Sequence, residues 1–228
     1  VKDKLAKVED VIRKIEPGMS VMVGGFGLIG SPLTLIEALC HHEVSGLTIF
    51  SNNMGEKNKG LGNLLLQQKV KKIIGSYFTS NSDVVKLHND NKINVQLLPQ
   101  GTFAEAIRAG GAGIGGFYIK VGVDTEISNG IEKRIIDGET FLFQKALKAD
   151  IALIKARKAD RLGNLVYYKT AQNFNSDMAT AAKIVIVEAD EIVEVGEINP
   201  EEIVTPHLYI DYIVPSTISL RNYGGDSQ

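Results

Sequence analysis

Two stretches of this sequence carry residue types that could do chemistry. The first runs Val21-Met22-Val23-Gly24-Gly25-Phe26-Gly27-Leu28-Ile29-Gly30-Ser31-Pro32, an apolar strand that enters glycines before Ser-Pro opens an amphipathic helix. Glycines at a strand-to-helix joint let the backbone approach a ligand closely, and the unpaired N–H groups and positive dipole end of the helix favour a negative group. Ser31 is the expected N-cap and Pro32 the expected first helical residue. The same glycines would equally serve a tight turn that binds nothing. The second stretch is Leu98-Pro99-Gln100-Gly101-Thr102, where a strand ends and a helix is expected over 102–108, so that the Gln100 amide is held at a strand terminus. No serine elbow, Cys-His pair or clustered carboxylate pair stands out as a nucleophilic centre. Glu188 and Glu191 read as a solvated strand end.

Gly25-x-Gly27-x-x-Gly30 matches the dinucleotide-binding pattern, which also needs an acidic side chain about 20 residues on for the ribose. That residue is missing: the second strand, Leu47–Phe50, ends in Ser51-Asn52-Asn53, and Glu43 precedes it. A nicotinamide cofactor is therefore not expected, and another anionic ligand takes its place. Asn52 and Asn53 could line a pocket or simply make a turn. A second cluster, Gly111-x-Gly113-x-x-Gly116, follows a helix rather than a strand and reads as a loop, flexible or close to a ligand.

Gly24 to Pro32, Ser51-Asn52-Asn53, Leu98 to Thr102, Arg108-Ala109-Gly110-Gly111-Ala112-Gly113 and Lys169-Thr170-Ala171-Gln172-Asn173-Phe174-Asn175 together resemble the A (alpha) subunit of the 3-oxoacid (acetoacetate/acetate) CoA-transferases, the family I CoA-transferases. The resemblance covers roughly residues 5–214, in order. It implies transfer of CoA between an acyl-CoA, such as succinyl-CoA or acetyl-CoA, and a short-chain 3-oxo or fatty acid such as acetoacetate. It also implies a companion B subunit, in an α2β2 heterotetramer, whose glutamate is the nucleophile and carries a glutamyl-CoA thioester. The B-subunit motif around that glutamate has no match here. By the same resemblance, Gly24, Gly25, Phe26, Gly27, Leu28, Ile29 and Gly30 associate with coenzyme A, and Asn52, Asn53, Gly111 and Gly113 line the substrate pocket. Gln100 is then an oxyanion donor. Thioester exchange passes through tetrahedral intermediates, and one preorganised donor aimed at the oxyanion contributes about 3 kcal/mol. The chain departs from the family's usual residues at Gly115 and Gly116 (proline and alanine), near Ile119 (threonine) and at Asp124 (glycine), positions that bear on substrate preference. Two other functions of similar α/β sheets stay in view, a sugar-phosphate isomerase and a small-molecule effector-binding module. The first wants its own general base and the second a helix-turn-helix with a basic surface, and neither is evident.

With 228 residues, 44% hydrophobic and 23% charged, the chain can bury one sizeable core, expected over 1–220 with a polar tail at 221–228. A formal net charge of −2 with scattered Lys and Arg argues against nucleic acid or an anionic membrane as partner. Cys40 is the lone cysteine, which rules out an intrachain disulfide or a cysteine metal cage and suits a reducing cytoplasm. His41 and His42 point about 100° apart on a helix and are expected to be solvated, and His88 and His207 are remote, so no metal is expected. No apolar run of about 18 residues occurs, and the first residues read as the start of an amphipathic helix, so neither secretion nor membrane insertion is expected.

Elements alternate along the chain. A helix with Leu5, Val8, Ile12 and Ile15 on one face stops at Pro17-Gly18, a strand over 19–23 follows, and strands and helices then succeed one another to about residue 98. This predicts an α/β single domain, a mainly parallel sheet flanked by helices with glycine-rich loops at the strands' carboxyl ends. Asp137-Gly138 predicts a β-hairpin insertion riding on that sheet. A helical stretch over 143–148, strands near 151–155 and 183–188, and a last strand over 208–214 complete the expectation.

Overall fold

The computed structural model describes residues 3–220. In chain order the elements are α1 Val8–Ile12, β1 Ser20–Val23, α2 Leu33–His41, β2 Leu47–Phe50, α3 Gly62–Leu66, β3 Val70–Gly75, α4 Ser82–Asn89, β4 Asn94–Leu97, α5 Gln100–Gly111, β5 Gly116–Ile119, β6 Lys133–Ile136, β7 Glu139–Lys145, β8 Ala149–Asp160, β9 Leu165–Val166, α6 Asn175–Met178, β10 Ala182–Val193 and β11 Tyr212–Pro215. The main sheet has the order β11-β10-β8-β1-β2-β3-β4, every neighbouring pair parallel, with β9 antiparallel on β8. The expected α/β fold with a mainly parallel sheet is the observed one.

Because successive strand residues point to opposite faces, β1 feeds two cores. Val21 and Val23 pack with α1 to α4, while Met22 packs with α5 and α6. Both faces are covered, as a parallel sheet requires. The chain begins in the middle of the sheet, builds outward through β2, β3 and β4, then returns to lay β8 on the other side of β1. The order therefore reverses between β1 and β8. Such a reversal opens a crevice at the strands' carboxyl ends, because the following loops diverge to opposite faces.

The hairpin turns at Asp137 (φ 50°) and Gly138 (φ 80°), the paired positive φ of a tight two-residue turn. It does not ride on the main sheet: β6 and β7 join β5 in a separate three-stranded antiparallel sheet, with β7 running to Lys145 where a helix was expected. Gly116 lets the strands approach closely there, since a Cβ would lie 2.7 Å from the Gln144 carbonyl oxygen and 2.4 Å from the Phe143 ring. Asp124 has φ 61°, a conformation that glycine takes more readily. The last strand starts at Tyr212, later than expected, since His207–Tyr209 forms a 3-10 turn. The expected polar tail, 221–228, lies outside the described residues. Among the described residues no helix is long and apolar enough to cross a membrane.

Candidate active site

At the carboxyl end of β1 the glycine stretch forms a small projecting hairpin. Phe26 and Ile29 exchange backbone hydrogen bonds of 2.9 and 3.2 Å around Gly27, whose φ of 62° suits glycine at the first central position of a tight turn. Phe26 and Ile29 are half exposed at its tip. Asn173 and the first residue of α6, Asn175, grip its base. Asn173 accepts from the Gly25 N–H (3.0 Å) and donates to the Ile29 carbonyl (3.1 Å), while Asn175, fully buried, donates to the Gly30 carbonyl (2.9 Å). Gly24 leaves room for this clamp, as its Cβ would sit 1.9 Å from Asn175 Oδ1. Leu28, Ile29, Gly30, Lys155, Arg157 and Tyr168 help to line a cavity of about 400 Å³ in the crevice beside β8.

The helix end behind this loop does not await a ligand. Ser31 is not the N-cap: its hydroxyl donates to the Gly27 carbonyl, and Pro32 occupies the cap position without a side-chain bond. The anion that α2 selects is internal. Glu188 is completely buried, and its Oε2 accepts from the N–H groups of Thr34 (2.8 Å) and Leu35 (3.2 Å). Its Oε1 accepts from Lys155 Nζ (2.9 Å), Ser216 Oγ (2.7 Å) and Thr34 Oγ1 (3.1 Å). The expectation of a solvated Glu188 is thus corrected. A carboxylate in the midst of the apolar run 184–189 could have signalled burial, because charge is buried only where partners meet it. With every lone pair directed at an internal donor, Glu188 is not placed to attack a thioester. Glu191 is exposed and pairs with Lys158 at 3.3 Å.

The second group lies where β2, β3 and β4 end. Gln100 is exposed in the first turn of α5, which begins two residues earlier than expected. Asn52 and Asn53 lie behind it, 1% and 5% exposed. Asn53 Oδ1 accepts from the Gly55 N–H (2.8 Å), Asn53 Nδ2 donates to Asn52 Oδ1 (3.0 Å), and Asn52 Nδ2 donates to Gln100 Oε1 (3.1 Å) and Ser76 Oγ (2.8 Å). Ser76 Oγ also lies 3.3 Å from Gln100 Oε1. Gln100 Oε1 is therefore committed to the protein, and its Nε2 is the donor turned outward. The positive end of α5 adds to the potential at the same point. Sequence reasoning misses Ser76, because a serine after a strand carries no signal of its own.

The structure brings Gln100, Asn52 and Asn53 together but not Gly111 and Gly113. These close α5 at the other edge of the sheet, beside Ala149 and Ala182 where β8 and β10 begin. Roughly eleven residues of helix at about 1.5 Å each separate Gly111 from Gln100. Packing explains Gly111, since a Cβ there would meet Thr180 Oγ1 at 1.8 Å. The group around Gln100 therefore does not include Gly111 and Gly113, and they line a separate, smaller cavity with Lys148 and Thr180. His42 is half-buried, its Nε2 2.8 Å from the Ile15 carbonyl, rather than solvated. The Cys40 thiol is pushed up to about 11, chiefly by burial and then by Glu37, which makes it a poor nucleophile. No group of three or more His, Cys, Asp or Glu side chains among the described residues could hold a metal ion.

Residues 5–216 match the coenzyme A transferase family. The alpha subunit of an acetate CoA-transferase from Escherichia coli is 43% identical over 216 residues, 95% of this chain and 98% of that one. The alpha subunit of an acetoacetyl-CoA:acetate/butyrate CoA transferase from Clostridium acetobutylicum is 43% identical over 211 residues, 92% of this chain and 97% of that one. Among solved structures, an acyl-CoA transferase from Escherichia coli in a thioester complex with CoA superposes with a TM-score of 0.86 at 21% identity. That match covers 99% of this chain and 49% of the other, so this chain spans about half its length. An isomerase or effector-binding module finds no support in these similarities. The chain belongs to the coenzyme A transferase family and aligns with its alpha subunits.

Proposed function

We propose that this chain is the alpha subunit of a two-chain enzyme that moves CoA between succinyl-CoA or acetyl-CoA and a short-chain 3-oxo or fatty acid such as acetoacetate. In this reading a glutamate of the companion chain attacks the thioester carbonyl, and the glutamyl-CoA thioester formed on it later returns CoA to the second acid. Gln100 Nε2 donates to the carbonyl oxygen as it becomes an oxyanion. The hairpin of residues 24–30 associates with coenzyme A, and Asn52 and Asn53 form the wall behind Gln100. An α2β2 assembly and a cytoplasmic setting belong to the same reading.

The observation that carries it is the orientation of Gln100, an outward amide donor at the carboxyl edge of the sheet whose oxygen is tied inward. An oxyanion donor without its own nucleophile is half of an active site. Glu188, the buried carboxylate nearest in kind, is engaged on both oxygens. The half-exposed Phe26, Ile29, Tyr77 and Tyr168 supply apolar surface for a second chain.

Gln100→Ala in the assembled enzyme tests the reading. A donor that acts mainly in the transition state should cost about 100-fold in kcat with little change in assembly. Unchanged turnover would remove Gln100 from the mechanism.

A further inference from the structure

An exposed glutamine has two nearly isosteric orientations, and only one makes it a donor. The polarity of the side-chain series behind Gln100 is set at its far end. The Gly55 N–H can only donate, so the Asn53 atom 2.8 Å from it must be the carbonyl oxygen. Asn53 therefore turns Nδ2 toward Asn52, whose facing atom must be Oδ1, and Asn52 in turn directs Nδ2 at Gln100 Oε1. Ser76 cannot decide the matter, because a hydroxyl rotates to suit either partner. Turning the Gln100 amide over would set its N–H groups against Asn52 Nδ2, leaving one N–H of the buried Asn52 unpaired.

We propose that Asn53 is a positioning residue: acting through Asn52, it transmits the fixed polarity of the Gly55 N–H to Gln100 and so holds the Gln100 amide nitrogen toward the reacting thioester. This rests on the reading of Gln100 as the oxyanion donor. Asn53 itself is buried at 5% exposure and touches the reaction only through this series.

The test is Asn53→Asp in the assembled two-chain enzyme, assayed with acetyl-CoA or succinyl-CoA and acetoacetate. The substitution preserves shape and still accepts from the Gly55 N–H, but it offers Asn52 an acceptor. Asn52 then turns its nitrogen to the new carboxylate and its oxygen to Gln100, which turns its own oxygen to the site. Three results are expected. The loss in kcat should match that of Gln100→Ala, about 100-fold. KM for the acyl-CoA should hardly move. Asn53→Asp combined with Gln100→Ala should be no slower than Gln100→Ala alone, because both act on the same hydrogen bond. A purely structural effect would multiply with the loss from Gln100→Ala.

Asn53→Ala, which frees Asn52 to take either orientation, serves if the carboxylate prevents assembly. Its expected loss is smaller and should also vanish in the Gln100→Ala background. Full activity of either Asn53 variant, or losses that multiply in the double variant, overturns the proposal. Loss of turnover in Gln100→Ala with such results would leave the oxyanion reading standing, whereas full activity of Gln100→Ala would remove that reading itself.

Discussion

Removing the Glu188 carboxylate tests the way the first helix end is built. Five donors converge on its two oxygens, two of them backbone N–H groups of α2, one the Lys155 ammonium and two hydroxyls. In Glu188→Gln the remaining oxygen can keep the Thr34 and Leu35 N–H groups. The new amide nitrogen then faces Lys155, Ser216 and the Thr34 hydroxyl. The Ser216 hydroxyl can rotate and accept; the Thr34 hydroxyl cannot, since it already accepts from the Thr217 and Ile218 N–H groups (3.0 and 3.2 Å), and neither can the ammonium, though it retains Asp190 at 2.6 Å. One charge-assisted and one neutral hydrogen bond are lost, about 3 kcal/mol. In Glu188→Ala the two helix N–H groups also lose their acceptor in a buried site, and a partner cation loses its buried counter-charge. Breaking a buried pair in this way costs about 3–5 kcal/mol. Equilibrium urea unfolding should show midpoints in the order wild type, Gln, Ala with an unchanged denaturant slope. Losses below about 1 kcal/mol for both variants, or a glutamine variant less stable than the alanine variant, would refute the account of Glu188 as the internal cap of α2.

Gly27→Val places a β-branched side chain at φ 62° in open space, with no atom within 4 Å of the new Cβ, so the expected cost is backbone strain of roughly 1–2 kcal/mol rather than a clash. The variant should fold, and its affinity for CoA by calorimetry in the assembled enzyme should fall; unaltered affinity would detach the hairpin from CoA binding. The Asp150 carboxyl is held down to about 2 by Lys183, then by the Ser20 hydroxyl and N–H. A carboxyl lowered in the folded state stabilises it above the unfolded value near 4 and loses that contribution as the pH falls toward 2. Asp150→Asn should therefore flatten the acid limb of stability between about pH 4 and 2, with about 1–2 kcal/mol lost at neutral pH after allowance for solvent screening; parallel acid limbs for the two proteins would contradict this. The chain purified alone should not transfer CoA from succinyl-CoA to acetoacetate, and a partner chain should restore exchange with the hydroxylamine-sensitive adduct on the partner only. An adduct on one of this chain's own glutamates would reverse that division of labour.

The parallel sheet was legible because its causes are local. Short apolar strands alternate with amphipathic helices, Pro17-Gly18 punctuates the first helix, and Asp137-Gly138 forces a hairpin wherever it occurs. What the hairpin joins was not legible, since its third strand, Gly116–Ile119, pairs with Leu142–Lys145 across more than twenty residues of chain, a separation at which local turn signals carry no information. Gln100 could be placed from its neighbours: Pro99 ends a strand and a helix begins at once. Its orientation could not, because Asn52, Ser76 and Gln100 come from the ends of three different strands.

The sequence by itself determined where the backbone turns, which faces are apolar, and that a glycine-rich joint and a glutamine stand at strand ends. Only the tertiary structure decided which polar groups meet. Glu188 and Thr34 are 154 residues apart in the chain, and Asn173 and Gly25 are 148 apart. Local propensity carries no information at such separations. A carboxylate in isolation is stable only in water, and it becomes stable inside the protein solely because the order of the sheet lays β10 beside β8 and under the first turn of α2, where two free N–H groups, a lysine and two hydroxyls already point at one place.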